Sequence, residues 1–432
     1  MSSTPFIFVV CQVGAETALK NEVAKKHPSI RFAFSRPGFV TFRVTDEIAR
    51  DRKFELRCTF ARTWGHSLGK LIGSDGNLLA ADLWKAIADR YPADVLRQFK
   101  HLHVWERDRE VPGDRDFEPG ITPLAEEVGE LLMQHKPDLG SQWELNVNQD
   151  AQPDDRVLDC VLVEPGEWWF GWHRVHTMEG RWPGGVPDLN PPENMVSRTY
   201  LKMAEALLWS QLPIKFTDEC VEIGSAPGGS CQALLETGMS VTGVDPAEMD
   251  PILMAHPLFR HRKARAKDLK RSEFAECRWL VSDASVAPNY TLDTVEAIVS
   301  HPDVSIEGLL LTLKLTEWEL AAEIPAFNKR IRSWGFDVVR SRQLAFNRCE
   351  ICVFAMTSDV LKNKRPALPA DTRIVSAEEL RQLMLGGEMI EEVDEPQRKS
   401  KSKPGKVESL EETENDLFQE FEGDDDEDDE DE

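Results

Sequence analysis

The residue in this chain that most demands a chemical explanation is a lysine inside an apolar run. Lys314 sits in LLLTLKL, residues 309–315. An ammonium there must leave the sheet or be desolvated, and burying a charge without partners is costly. Three more charged residues interrupt or end apolar segments: Asp283 in CRWLVSDAS, Glu350 in RCEICVFAM, and Lys202 in SRTYLKMAEALLW, where Leu201, Ala204 and Leu208 keep helical spacing. Lys202 reads equally as an exposed helix lysine, Asp283 as a turn acid and Glu350 as a polar residue on an edge strand. Lys314 resists such a reading most. With carboxylates as partners and a second lysine crowding it, its pKa is expected to fall well below the free value of about 10.4. A lysine tuned in this way is a usable general base.

A second constellation supplies a place for a nucleoside. The segment from Cys220 to Pro246, CVEIGSAPGGSCQALLETGMSVTGVDP, reads as strand, glycine turn, helix, strand. Val221 and Ile223 start an apolar run that breaks at Gly224, and the pair Gly228-Gly229 lets backbone come close to a ligand. Asp245 ends the second strand, where a carboxylate can accept hydrogen bonds from a ribose diol. The spacing G-x-x-P-G-G is not the G-x-G-x-x-G of dinucleotide sites, and no Gly-Lys-Ser/Thr follows to make a P-loop. S-adenosylmethionine fits such a loop, having a ribose and an adenine but no phosphate.

In the order Lys202, GSAPGG, Asp283, Lys314, Glu350 the chain resembles the FtsJ-type ribose 2'-O-methyltransferases, with their Lys-Asp-Lys-Glu tetrad on a doubly wound sheet that binds S-adenosylmethionine. Within that group SRTYLK, the DAS turn, LTLKL and RQLAFNRCEICV are most similar to the bacterial RlmM type, which methylates a cytidine ribose in large-subunit ribosomal RNA. The likeness is strongest over residues 195–356. It implies that Lys314 accepts the proton, with Lys202, Asp283 and Glu350 completing the catalytic group and no metal required. It also assigns Thr199, Ala226, Pro227, Gly228, Gly229, Asp245, Asp268 and Asp283 to the cofactor. The chain departs from the family pattern at Glu222, where an aspartate is usual, at Ser230, where an aromatic residue is usual, and around Asp268, whose register needs a small insertion. Other readings are the same chemistry on another RNA such as transfer RNA, a catalytically silent RNA-binding protein that keeps the fold, and a small-molecule methyltransferase.

These elements must be held by a multi-domain chain, and 432 residues with 41% hydrophobic content are enough for two or three cores. The expected class is α/β: a Rossmann-like doubly wound methyltransferase domain over 193–360, preceded by an α+β region. Within that region strand, helix and hairpin patterns over 1–55 suit a ferredoxin-like unit. The resemblance implies a THUMP-like RNA-binding domain over 56–180, joined by a Pro/Gly-rich linker over 181–192. Trp168, Trp169, Trp172 and Trp182, interleaved with Arg174 and Arg181, read as core or interface packing before base stacking. His173 and His176 suggest a metal, but no carboxylate or cysteine pattern accompanies them. The lone C-x-x-C of Cys349 and Cys352 lies in a strand pattern, and the eight scattered cysteines suit reduced thiols.

The formal net charge of −25 looks wrong for an RNA enzyme until it is divided. Residues 391–432 carry 20 acids against 5 bases, a net of −15, which leaves −10 for the other 390. Residues 361–432 are expected to form a short helix over Ser376–Leu385 and a disordered acidic tail that solubilises the chain or screens a basic RNA surface. Without a signal peptide or a run long enough to span a membrane, the expectation is a cytoplasmic protein working as a monomer on ribosomal RNA.

Overall fold

The structure, a computed structural model, describes residues 5–51, 53–358 and 360, so the Ser376–Leu385 helix and the acidic tail lie outside the described residues. The N-terminal half runs β1 (Phe6–Val10), α1 (Glu16–Lys26), β2 (Arg31–Arg36), β3 (Phe39–Arg43), α2 (Asp46–Arg50), β4 (Thr63–Ile72), α3 (Gly76–Ala88), α4 (Ala93–Leu96), β5 (Phe99–Glu106), α5 (Pro123–Gln134), β6 (Asn146–Val147), β7 (Arg156–Glu164) and β8 (Glu167–Arg174). Its eight strands form one sheet in the order β2-β3-β1-β4-β8-β7-β5-β6. Residues 1–55 and 56–180 share that sheet, because β1 pairs antiparallel with β4 from Phe6 opposite Ser67 to Val10 opposite Thr63. Strand alternation divides β1: Ile7 and Val9 enter one core while Phe8 and Val10 enter another on the opposite face.

The stretch expected as a linker begins as packed structure. Trp182, Pro183, Gly184 and Gly185 are buried, and the Gly184 carbonyl accepts a hydrogen bond from Arg62 Nε at 3.0 Å.

The C-terminal half follows as α6 (Thr199–Ser210), β9 (Glu219–Ile223), α7 (Gly229–Glu236), β10 (Ser240–Val244), α8 (Pro251–Met254), β11 (Phe259–Arg262), β12 (Trp279–Ser282), α9 (Pro288–Val299), β13 (Gly308–Lys314), α10 (Ile324–Arg332), β14 (Val338–Arg342) and β15 (Glu350–Met356). Seven strands take the order β11-β10-β9-β12-β13-β15-β14, all parallel from β11 to β13, with β15 antiparallel to both of its neighbours. Helices α6 and α7 cover one face and α9 and α10 the other, so the central strands are buried on both faces and mostly apolar rather than alternating. The strand order reverses between β9 and β12, the switch point at which ligands bind outside the carboxyl ends of a doubly wound sheet. None of the described helices is long and apolar enough to cross a membrane.

The two halves share a core in which Ile7, Val9, Leu19 and Val23 join Leu292, Val295 and Ile331. A buried polar seam runs beside it. Arg342 on β14 donates to the Arg62 carbonyl and pairs with Glu179 at 2.5 Å, while Arg62 pairs with Asp108. Gln343 N donates to the Thr59 carbonyl at 2.8 Å. Removing one member of a buried, hydrogen-bonded ion pair costs about 3–5 kcal/mol, because the partner is left unpaired. Arg342→Ala is therefore expected to lower unfolding stability by about 3 kcal/mol in urea denaturation, and an unchanged midpoint would show that the seam contributes nothing.

Candidate active site

Four elements converge on one cluster of charges. Strand β13 ends in Lys314 and β15 begins with Glu350, and their antiparallel register sets these two residues opposite each other. Asp283 follows the last residue of β12, and Lys202 projects from the second turn of α6. The side chains close a ring of alternating sign. Lys314 Nζ lies 2.7 Å from Asp283 Oδ1 and 3.5 Å from Glu350 Oε2, while Lys202 Nζ lies 2.5 Å from Glu350 Oε1 and 3.8 Å from Asp283 Oδ2. All four residues proposed from the sequence as catalytic are thus brought together. The side chain of Lys314 is 18% exposed, against 4–10% for the other three, so Lys314 is the member open to an incoming group.

The electrostatics differ from expectation in sign. Burial pulls the Lys314 pKa down, but Asp283 and Glu350 outweigh it and hold the ammonium above its ordinary value. Burial likewise pushes Glu350 up, and Lys202 and Lys314 reverse that and keep its carboxyl below the usual range. The second lysine does not depress Lys314, because each ammonium is spent on the carboxylates between them. A stability role is a weak account of the ring, since buried ion pairs roughly break even against apolar packing.

The glycine loop closes against this cluster. Gly224 has φ +80°, and a Cβ there would stand 2.7 Å from Ala284, the residue after Asp283. A Cβ on Gly229 would stand 2.3 Å from Ser197 Oγ and 2.6 Å from Thr199 Oγ1, so only glycine lets α7 start against α6. Thr199 Oγ1 accepts from Ser230 N at 3.1 Å and ties the two helix starts together. Asp245 holds the loop itself, with Oδ2 accepting from Ala226 N at 3.2 Å and Oδ1 from Ala247 N at 2.8 Å. Pro227 follows Ala226, and Gly228, at φ +125°, packs on Leu253. Asp268 is exposed in the turn after β11, the edge strand, and no side-chain hydrogen bond ties it to the loop. One buried atom in the cluster lacks a donor: Asp283 Oδ2 accepts no hydrogen bond. A vacant acceptor beside the loop, with Asp245 at the neighbouring strand end, suits a ligand bearing hydroxyl, amino or cationic groups.

Two buried carboxyls beside the site were missed in the sequence. Glu205, three residues after Lys202 on α6, is buried and accepts from Ala345 N at 2.8 Å and Phe346 N at 3.0 Å, which pins the loop that leads into Glu350. Its signal was an acid one turn from Lys202 inside an apolar helix. Glu222, noted only as a departure from a family pattern, is buried in β9 beneath the glycine loop and accepts from Cys231 Sγ at 2.8 Å.

Away from this cluster, His173 finds the carboxylate that its local sequence did not show. Asp159 Oδ2 on the neighbouring strand β7 lies 2.7 Å from its Nδ1, and the Gly180 carbonyl lies 2.8 Å from its Nε2. His103 completes a group close enough to share an ion, whereas His176 is exposed and outside it. The eight cysteines are free, seven of them buried, and Cys349 and Cys352 form no bond with each other.

Residues 195–341 match the family described as FtsJ-like methyltransferase. Relatives named ribosomal RNA large subunit methyltransferase M include one from Halorhodospira halophila, 36% identical over 110 residues covering 25% of this chain and 32% of that one. Another, from Alkalilimnicola ehrlichii, is 31% identical over 188 residues covering 40% and 49%, and one from Hahella chejuensis is 26% identical over 255 residues covering 56% and 64%. The chain thus spans between about a third and two thirds of the length of these relatives. Among solved structures, TrmN from Thermus thermophilus is 15% identical, with 82% of this chain and 99% of that chain covered and a TM-score of 0.31, a slight likeness.

The two missed carboxyls make stability depend on pH in a direction that can be checked. Burial pushes Glu205 from 4.5 up to about 7 and Glu222 from 4.5 up to about 8. Between those limits the folded chain keeps protons that the unfolded chain has released, so stability falls as pH rises. Glu222→Gln should remove its share, at most about 1.4 kcal/mol per pH unit, and gain on the unsubstituted chain in urea denaturation at pH 8 but not at pH 4.5. Parallel pH profiles for the two proteins would mean that Glu222 is ionised in the fold.

Proposed function

We propose that this chain transfers a methyl group from S-adenosylmethionine to a ribose 2'-hydroxyl, that of a cytidine in cytoplasmic large-subunit ribosomal RNA, with Lys314 as the proton acceptor. The observation that carries this reading is the closed Lys202–Glu350–Lys314–Asp283 ring at the carboxyl ends of a doubly wound sheet, with its most exposed member a lysine. The match of residues 195–341 to FtsJ-like methyltransferases supports the reaction class, and the relatives' name supports the RNA.

The cofactor would be held by Ala226, Pro227, Gly228 and Gly229, by Asp245 and Asp283 at adjacent carboxyl ends, and by Thr199 through the start of α7, with Asp268 reaching in from the turn after β11. When bound, S-adenosylmethionine supplies a methyl already activated by the positive charge on its sulfur. What remains for the protein is to place a ribose oxygen and to remove its proton, and positioning is a large part of such a barrier. Lys314 stands at the open side of the ring, within reach of an arriving hydroxyl. Glu350 and Asp283 orient its Nζ from two directions, and Lys202 keeps Glu350 in place. As the hydroxyl oxygen gains negative charge, Lys202 and Lys314 stabilise it electrostatically.

Because the two carboxylates hold Lys314 protonated, the active form is the minority that has already lost its proton. The rate is expected to climb with pH through the neutral and alkaline range, by up to about tenfold per unit while deprotonation limits it. Lys314→Ala should lower kcat by about 10²–10⁴-fold with cofactor binding retained. The measurement is transfer of labelled methyl from S-adenosylmethionine to unmodified large-subunit RNA, followed by alkaline digestion, since a 2'-O-methyl leaves a resistant dinucleotide. A flat pH profile, or full activity without the Lys314 amine, would remove Lys314 as the base. Label that alkali releases as mononucleotides would move the reaction to another atom.

A further inference from the structure

The face of the N-terminal sheet that carries Phe8 also holds three buried residues with the chemistry of a metal centre. Strand register builds the group. His103 on β5 stands opposite Asp159 on β7, Asp159 stands opposite Gly171 on β8, and His173 follows Gly171 by two residues, so alternation puts all three side chains on one face. One ring nitrogen from each histidine and a carboxylate oxygen of Asp159 lie within 4.8 Å of one another. His103 is 0% exposed, Asp159 2% and His173 5%.

The hydrogen bonds around the group leave its lone pairs facing inward. His103 Nε2 lies 3.0 Å from the Gln149 carbonyl oxygen, and His173 Nε2 lies 2.8 Å from that of Gly180. A carbonyl can only accept, so each ring carries a proton on Nε2, and Nδ1 is the lone-pair atom of the neutral ring. Metal-bound histidines are held in this way, with the other nitrogen donating to a carbonyl or carboxylate. His173 Nδ1 lies 2.7 Å from Asp159 Oδ2. His103 Nδ1 and Asp159 Oδ1 have no hydrogen-bond partner among the described residues. Two buried acceptors without donors are costly, and one cation satisfies both.

We propose that His103 Nδ1, His173 Nδ1 and the Asp159 carboxylate bind one zinc ion, separate from the reaction assigned to Lys314. Two imidazoles and a carboxylate form a donor set that zinc takes readily, with a water as the fourth ligand of a tetrahedron. On binding, the ion replaces the proton between His173 Nδ1 and Asp159 Oδ2, and that proton passes to solvent. A cavity of about 20 Å³, room for a single water, reaches His173 and Gly180 between Glu55 and Glu179. No substrate fits there, so the ion braces the fold. It draws β5, β7 and β8 together at one point. Through Gly180 it also steadies the turn Met178–Arg181, whose Glu179 pairs with Arg342 across the two halves.

The test uses the full chain, freed of metal by chelation and dialysed. Cobalt(II) titration, read by the intense visible d–d bands of tetrahedral coordination, should saturate at one ion per chain, and zinc should displace it. The eight free cysteines are a competing set, and binding there adds strong thiolate-to-cobalt charge transfer in the near ultraviolet. Zinc should also raise the urea midpoint of the unsubstituted chain, since an ion that binds only the folded form stabilises it. His103→Gln keeps a donor for the Gln149 carbonyl. It should weaken zinc binding at least about 100-fold, since losing a ligand exceeds losing an outer hydrogen bond, and its midpoint should no longer respond to zinc. Asp159→Asn should abolish the cobalt bands. Should that variant fail to fold, His103→Gln and the unsubstituted chain still decide. A metal-free chain that gains no tetrahedral bands overturns the proposal and leaves a hydrogen-bonded triad. Bands dominated by thiolate charge transfer, or unchanged affinity in folded His103→Gln, overturn it too, because the ion then sits elsewhere.

Discussion

Two ammonium groups and two carboxylates in a nearly dry pocket must balance one another, and much of the C-terminal half serves that balance. The ring closes only if Lys314 and Glu350 face each other across β13 and β15, which the antiparallel final strand provides. It closes only if α6 brings Lys202 down onto Glu350. Helix α6 is fixed at both ends of this contact. Thr199 ties its start to α7, and Glu205, one turn beyond Lys202, grips the two backbone amides of the loop entering β15. Loss of any one of the four ring residues leaves a charge without its counterpart in a site where water is scarce, and that costs more than the pair ever contributed.

Much of this was readable from residue order, and what escaped has physical reasons. The apolar runs holding Lys314, Asp283 and Glu350 announced themselves because a charge in a buried strand is rare. Strands β1, β2 and β3 and helix α1 fell in the strand, helix and hairpin order read over 1–55. Strands β4 and β8 carry glycine, histidine and lysine among their apolar residues, so alternation was broken and only pairing reveals them. The sign of the Lys314 shift was out of reach for another reason. Desolvation and neighbouring charge oppose each other there, and the winner depends on distances of 2.7 and 3.5 Å that no spacing encodes. Asp159 beside His173 was hidden similarly, since strand register and not local pattern sets them together.

The Trp-rich segment shows how one strand serves two environments. In β8, Trp168 and Phe170 are buried against α3 and α5, which fits the packing reading of that segment. Trp169 turns to the other face, against Phe34 and Phe39, and Trp172 stays half-buried on the face of Trp168 and Phe170. Packing and exposure thus divide among neighbouring rings of a single run, which no composition of the segment could apportion.

A formal net charge of −25 repels a polyanion over about 10 Å at ordinary salt. Local attraction must then come from cations that no carboxylate neutralises. The tetrad cannot serve the same purpose, because its two lysines are already neutralised by Asp283 and Glu350 and offer a phosphate little net field. If the ring transfers a proton, as proposed, it is for that reason a poor site for capture. A polyanion presented to such a ring must therefore be held by residues outside it.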